Sequence, residues 1–210
     1  MKQFIFFALL IFAVAVSGMS PQPPFEGKSV KELLLMLDST NALTRTGAAA
    51  AIAWYLERDR FTPNFIDAPL IQETASRASQ LLQTDKDEMV RLASISVLSA
   101  LSNWTNTAPL LALGVVDNDC LVRVRVVSVL HHVCQDRGQK LGTNIVSALI
   151  DCLESSVEMG VLCEAASTAG ELGKDARSAI PSLERLLQHK DKKVRECAAK
   201  ALRKLRSDAN

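Results

Sequence analysis

Apolar residues recur at helical spacing along most of this chain, and short polar turns interrupt them at intervals. The clearest example lies near the C-terminus, where Leu183, Leu186 and Leu187 form one apolar stripe. After a charged turn, a second stripe follows the spacing of one helix face: Val194, Ala198, Ala201, Leu202 and Leu205. Residues 179–205 therefore predict two amphipathic helices, with Pro181 in the first turn of one and Asp191 positioned to cap the other.

The same two-helix unit recurs upstream. The motif Asp-x-x-Val-Arg starts at Asp87, Asp119 and Asp191, and weaker copies start at Asn41 and Glu158. The Arg column of these copies falls at positions 45, 91, 123, 162 and 195, which are separated by 46, 32, 39 and 33 residues. Four, eight and eleven residues after the Val column, nearly every copy carries a small, a large and a large residue. This period predicts an all-α solenoid of about five units, and an inserted aromatic loop at 59–67 accounts for the long first spacing.

The motif, with Pro thirteen residues before Val at Pro109 and Pro181, resembles the HEAT repeat, and most closely the short variety of phycobilisome-lyase-like proteins. The resemblance covers roughly residues 28–206. It implies a right-handed α-α superhelix in which the second helices of the units line an inner, concave face. It also implies an interaction surface rather than a catalyst, because such repeats mostly bind other proteins.

The repeated Asp and Arg are expected to be structural. An Asp at a helix start accepts backbone N–H groups and suits the helix dipole. An Arg at the start of the second helix can pair with an Asp of the next unit. Repetition in several units is what a structural role predicts, whereas a catalytic site would need one special copy.

The N-terminus has the layout of a secretory signal peptide at residues 1–20. Lys2 precedes an apolar run of 13 residues at 4–16, and small residues at 15, 17 and 18 lie near a possible cleavage point. The run is short for a membrane span, which needs about 20 residues. An uncleaved membrane anchor at residues 4–18 is the alternative. Residues 21–27 are a Pro-rich spacer, residues 28–206 form the repeat domain, and the protein is expected to be exported to the periplasm or secreted.

Composition and motifs argue against several functional classes. The 24 Lys and Arg balance 23 Asp and Glu, so a net charge of +1 predicts no general attraction to nucleic acid or membranes. None of the three histidines, His131, His132 and His189, is followed by Glu, so the His-Glu pairs of HEAT-like di-iron hydroxylases are absent.

We expect no enzyme activity and no cofactor. The alternative is a relative of lyases or oxidoreductases that holds a small cofactor, and a third possibility is a subunit that folds fully only in a larger assembly.

Five cysteines occur without a Cys-x-x-Cys pair: Cys120, Cys134, Cys152, Cys163 and Cys197. Buried free thiols are the favoured interpretation, although a disulfide between Cys152 and Cys163 is conceivable. The sequence leaves the redox state of the five thiols open.

The remaining candidate for a functional site is a surface on the second helices. The columns two, six and nine residues after Val are expected to face outward, and their central members are small, hydroxyl-bearing and mildly apolar. The predicted partner-binding residues are Leu92, Ser96, Ser99, Val124, Ser128, His131 and Ser167. The hypothesis is a non-enzymatic scaffold or adaptor that binds a segment of another protein along this face.

Overall fold

The computed structural model describes residue 25 and residues 27–58, 67–138 and 143–207, with the backbone alone at residue 143. The predicted signal peptide at 1–20, most of the 21–27 spacer and most of the aromatic loop at 59–67 lie outside these residues. No helix among the described residues is long and apolar enough to cross a membrane.

The described residues form α-helices in antiparallel pairs and contain no strand. In chain order the helices are α1 (Val30–Met36), α2 (Ala42–Arg58), α3 (Ala68–Thr84), α4 (Glu88–Leu101), α5 (Ala108–Ala112), α6 (Cys120–Asp136), α7 (Thr143–Ser155), α8 (Met159–Leu172), α9 (Ile180–Leu186) and α10 (Lys192–Ser207). Short 3₁₀ segments follow α5 (Leu113–Val116) and α8 (Gly173–Ala179). The pairs α1–α2, α3–α4, α5–α6, α7–α8 and α9–α10 are units 1 to 5, which confirms the predicted all-α solenoid.

The helices form two layers. The second helices of the units contact one another in series, α2 with α4, α4 with α6, α6 with α8 and α8 with α10. The first helices form the other layer, in which α1 contacts α3, α3 contacts α5 and α7 contacts α9. Each unit therefore buries its apolar face partly within itself and partly against its neighbours, as solenoids do.

The core lies between the layers and follows the repeat. The column four residues after Val is fully buried in all five copies: Ala48, Ser94, Val126, Ala165 and Ala198. The column eight residues after Val is buried throughout: Ile52, Leu98, Leu130, Ala169 and Leu202. In the third column Tyr55 is partly exposed, whereas the other four members are buried. The predicted core columns are therefore confirmed.

Side-chain caps start the second helices where the motif predicts them. The Asp87 carboxylate accepts the N–H groups of Met89 at 2.9 Å and Val90 at 3.4 Å, and Asp119 caps α6 in the same way. Asp191 accepts the N–H of Lys193 at 2.7 Å. Glu158, in the weaker copy, makes no side-chain cap.

Buried Arg–Asp pairs join unit 1 to unit 2 and unit 2 to unit 3. Arg45 donates two hydrogen bonds to the Asp85 carboxylate at 2.7 and 2.8 Å, and Arg91 donates two to Asp117 at 2.8 and 3.1 Å. The third guanidinium nitrogen of Arg45 donates a hydrogen bond to the Ser39 carbonyl, in the turn between the two helices of its own unit. The predicted pairing with an Asp of the next unit is thus confirmed at these two interfaces.

The series of pairs ends at unit 3. The position of Asp85 and Asp117 is occupied by Ser156 in unit 4 and by His189 in unit 5, and Leu162 replaces Arg in unit 4. Arg123 instead donates to the Cys120 sulfur at 2.9 Å and to the Asp117 carbonyl of its own unit. The C-terminal interfaces are therefore held by other contacts.

We expect Asp85→Asn to destabilise the protein by about 2 kcal/mol, because it removes the charge opposite a largely buried guanidinium. Urea unfolding followed by circular dichroism measures this loss. Asp38→Asn is the matched control, because its Arg77 pair lies at the surface and is expected to contribute less than about 1 kcal/mol. Equal losses for the two variants would contradict a structural role for the buried pairs.

The Asp85 pair also predicts a dependence on pH. Burial by itself raises the pKa of Asp85. The hydrogen bonds from Arg45 and from the Asp87 N–H, together with the positive charges of Arg45 and Arg91, outweigh burial and lower the pKa of Asp85 below its ordinary value. The stability from this group is present above the unfolded pKa and is lost as the pH falls through the lower folded pKa. The stability difference between wild type and Asp85→Asn should therefore be smaller at pH 3 than at pH 6 in urea titrations. A difference that grows at pH 3 would contradict the assigned sign.

Candidate interaction surface

The column six residues after Val lies on the outside of the second-helix layer in every unit. Its members are exposed or half-buried: Ala50, Ser96, Ser128, Ser167 and Lys200. Three of the predicted partner-binding residues, Ser96, Ser128 and Ser167, belong to this row. Small side chains therefore line the second-helix layer from unit 1 to unit 4, and a lysine ends the row.

The other two predicted columns are less accessible than the sequence suggested. Val124 is 0 % exposed and His131 is 7 % exposed, so the prediction that they face a partner is wrong. Leu92 and Ser99 are half-buried at the edge of the row.

The close stacking of units explains this difference. A Cβ atom at Gly170, in the nine column, would lie 3.2 Å from the Ala201 Cα of the next unit. Cys163 belongs to the column two residues after Val. Its sulfur likewise lies 3.7 Å from the Lys193 carbonyl oxygen of the next unit. These columns therefore lie in the interfaces between units, whereas Arg203, in the nine column of unit 5, is exposed.

The accessible face of each second helix is rotated by roughly 50° about the helix axis from the predicted face. It combines the six column with the columns three, ten and thirteen residues after Val. The exposed members of these three columns are Arg125, His132, Glu171, Lys204, Glu57, Asn103, Gln135, Lys174 and Ser207. We call this surface the outer face. Sequence reasoning missed its polar columns, although the apolar Leu92 and Val124 in the two column were a signal that the two column is buried.

Aromatic residues occupy the N-terminal end of the outer face. The Phe25 ring lies where a side chain at Gly47 would be, 2.9 Å from a Cβ built there. The Arg58 guanidinium carbon lies 4.9 Å from the centre of the Trp54 ring, and Trp54 contacts Tyr55 edge-on. A side chain at position 47 would push against the Phe25 ring where it now lies, so at least this residue of the predicted spacer packs on unit 1.

Charged residues occupy the C-terminal end. Arg125 pairs with Glu164 at 2.9 Å between units 3 and 4. Lys200, Arg203 and Lys204 are exposed on the last helix. The outer face therefore changes along the solenoid from aromatic, through small and hydroxyl-bearing, to charged with a basic end.

The described part of the chain has no cluster of three or more His, Cys, Asp or Glu that could hold a metal ion. Burial lowers the pKa of His131, and the neighbouring His132 lowers it further, so a neutral imidazole is favoured there. A separate open groove of about 640 Å³ lies on the first-helix layer, lined mainly by polar side chains of α3. It is not part of the outer face.

Comparison with known proteins supports the repeat assignment. Residues 146–210 match the family described as HEAT repeats. The crystal structure of an engineered protein from the Northeast Structural Genomics Consortium superposes with a TM-score of 0.51 at 20 % identity, covering 85 % of this chain and 80 % of that chain. At this identity the likeness shows the fold alone. No curated protein matches the chain at a significant level.

The match and the helix pairs together support a HEAT-repeat protein, and HEAT repeats generally mediate contacts between proteins. The finer resemblance to phycobilisome-lyase-like repeats is not confirmed by the match.

The stacking geometry predicts opposite effects for two glycines of α8. Gly170→Leu should destabilise the protein by about 1–3 kcal/mol, because the side chain would push against the α10 backbone. Gly160→Ala has open space around its Cβ and should stabilise the helix by about 0.5 kcal/mol. Urea midpoints of the two variants test this, and a neutral Gly170→Leu would refute the close approach of α8 and α10.

Proposed function

We propose that this protein is a non-enzymatic adaptor that binds a segment of another protein along its outer face, outside the cytoplasm. The observation that carries the proposal is the row of small side chains that runs across successive units. HEAT repeats generally bind proteins, which supports a protein partner. The export of the adaptor rests on the signal-peptide pattern of residues 1–20 alone.

The six column suits the approach of a partner's backbone. Ala50, Ser96, Ser128 and Ser167 present little bulk, so a helix or an extended segment can lie close to the second helices. Each serine hydroxyl can donate one hydrogen bond and accept others, so it can adapt to backbone or side-chain groups. Leu92 and Ser99 border the row and add contact area, whereas buried Val124 and His131 support it from below.

The ends of the outer face give the partner a direction. Lys200, Arg203 and Lys204 favour acidic residues of a bound segment over unit 5. The aromatic end, with Trp54 and Phe25, favours apolar residues over unit 1. An amphipathic segment with one acidic end therefore fits this face best.

The proposal is tested by capture of a protein partner with a serine-face variant. The tagged full-length protein, Ser128→Arg and Ser76→Arg would be purified from the envelope or secreted fraction of the native source, and co-purifying proteins identified by mass spectrometry. We expect Ser128→Arg to reduce recovery of the specific partner at least tenfold, because the long cation obstructs the centre of the row. Ser76→Arg, the same change on exposed α3, should leave recovery unchanged.

Matching circular dichroism spectra and melting temperatures of the variants would show that both remain folded. Equal recovery with Ser128→Arg would contradict binding at the outer face. Visible absorbance or stoichiometric metal in the purified protein, without a protein partner, would contradict the adaptor function and favour the cofactor-holding alternative. An intact N-terminus on protein recovered from the cytoplasm would contradict export.

A further inference from the structure

Two cysteines of neighbouring units face each other at the C-terminal end of the solenoid. Cys163 lies on α8 and Cys197 lies on α10, and their sulfur atoms are 2.6 Å apart. Both side chains are half-buried and are not joined by a disulfide in this structure. A disulfide has a sulfur–sulfur distance of about 2.05 Å, so the two atoms need to move only about 0.5 Å closer.

A second pair of cysteines from neighbouring units also lies close together. The fully buried Cys152 thiol interacts with the Cys120 side chain and donates to the Cys120 carbonyl oxygen at 3.6 Å, and the Cys120 sulfur accepts a hydrogen bond from Arg123 at 2.9 Å. Cys134 is buried on α6. Cys163 faces Cys197 of unit 5 and Cys152 faces Cys120 of unit 3, so the fold places the two members of the Cys152–Cys163 pair weighed above against different partners.

We propose that Cys163 and Cys197 form a disulfide that joins the last two units under oxidising conditions. The proposal rests on this geometry and does not depend on the adaptor function.

The position of the pair explains what the bond would do. The Arg–Asp pairs that join units 1 to 2 and 2 to 3 have no counterpart here, because Leu162 stands in the Arg position and His189 in the Asp position. Cys163 directly follows Leu162, and its sulfur lies 3.7 Å from the Lys193 carbonyl oxygen at the start of the second helix of unit 5. Among the described second helices, that of unit 5 contacts the second helix of unit 4. A covalent bond at this interface would hold units 4 and 5 together where the ionic contact is missing.

The reaction is a thiol–disulfide exchange with a disulfide-bearing oxidant such as oxidised glutathione or an oxidised protein dithiol. One thiolate of the pair attacks the oxidant disulfide and displaces the first thiol of the oxidant. The other thiolate attacks the mixed disulfide and displaces the second thiol. In total, the two cysteines lose two protons and two electrons, and the oxidant disulfide is reduced to two thiols.

The surroundings of the pair affect its rate of closure. Burial raises the pKa of the Cys163 thiol to about 12, and the hydrogen bond and charge of Cys197 contribute in the same direction. Because the thiolate is the nucleophile, closure should be slow at neutral pH and should accelerate as the pH rises.

The test is peptide mapping of the purified full-length protein after incubation with oxidised glutathione at pH 8, and again after reduction. Digestion with trypsin and a glutamate-specific protease places Cys163 in residues 159–164 and Cys197 in residues 197–200, separate from Cys152. We expect a linked peptide of these two fragments in most of the oxidised protein and none after reduction. A linked peptide joining any other two cysteines, or free thiols at both positions, would overturn the proposal.

Stability provides a second readout. The oxidised wild type should unfold at a higher temperature than the reduced form, by several degrees, and the shift should disappear in Cys163→Ser and in Cys197→Ser. Cys152→Ser is the matched control and should keep both the linked peptide and the shift. If the serine variants fail to fold, the peptide map of the wild type still decides the question. A shift that persists without Cys197 would show that another bond causes it.

Discussion

The close stacking of neighbouring second helices is the contact on which the rest of this solenoid depends. At the last interface it is close enough that a Cβ atom on Gly170 would lie 3.2 Å from the Ala201 backbone. A unit of two short helices cannot bury its own apolar face, so each unit is stable only through its neighbours. This requirement places small or apolar residues in the two and nine columns, and it leaves other columns to meet solvent or a partner.

The polar contacts between units change along the chain. The first two interfaces carry buried Arg–Asp pairs, in which each guanidinium also caps the turn of its own unit. The interface between units 3 and 4 carries the more exposed Arg125–Glu164 pair, and that between units 4 and 5 brings two thiols together. Each carboxylate of the buried pairs also accepts the N–H of the capping Asp two residues later. The capping turn, the ion pair and the stacking of units therefore depend on one another.

Stacking also determines which residues are available to a partner. Rotation of the outer face by roughly 50° removes Val124 and His131 from the surface and adds Arg125 and His132, which are their neighbours in sequence. The serine row is common to the predicted and the observed faces, because the six column lies between the two sets of columns. A partner that follows this row would meet aromatic side chains at one end and lysine and arginine side chains at the other.

The sequence by itself determined the fold class, the five units, the capping residues and the core columns. These follow from local spacing, since the 3.6-residue period and the residue at each helix start depend only on neighbours within one unit. The pairing of Arg45 with Asp85 was predictable in kind, because a repeated Arg and a repeated Asp occur in successive units. Only the tertiary structure decided the rotation of the outer face and the meeting of Cys163 with Cys197. Both depend on how closely and at what angle one unit lies on the next, and that geometry arises from side chains 30 or more residues apart.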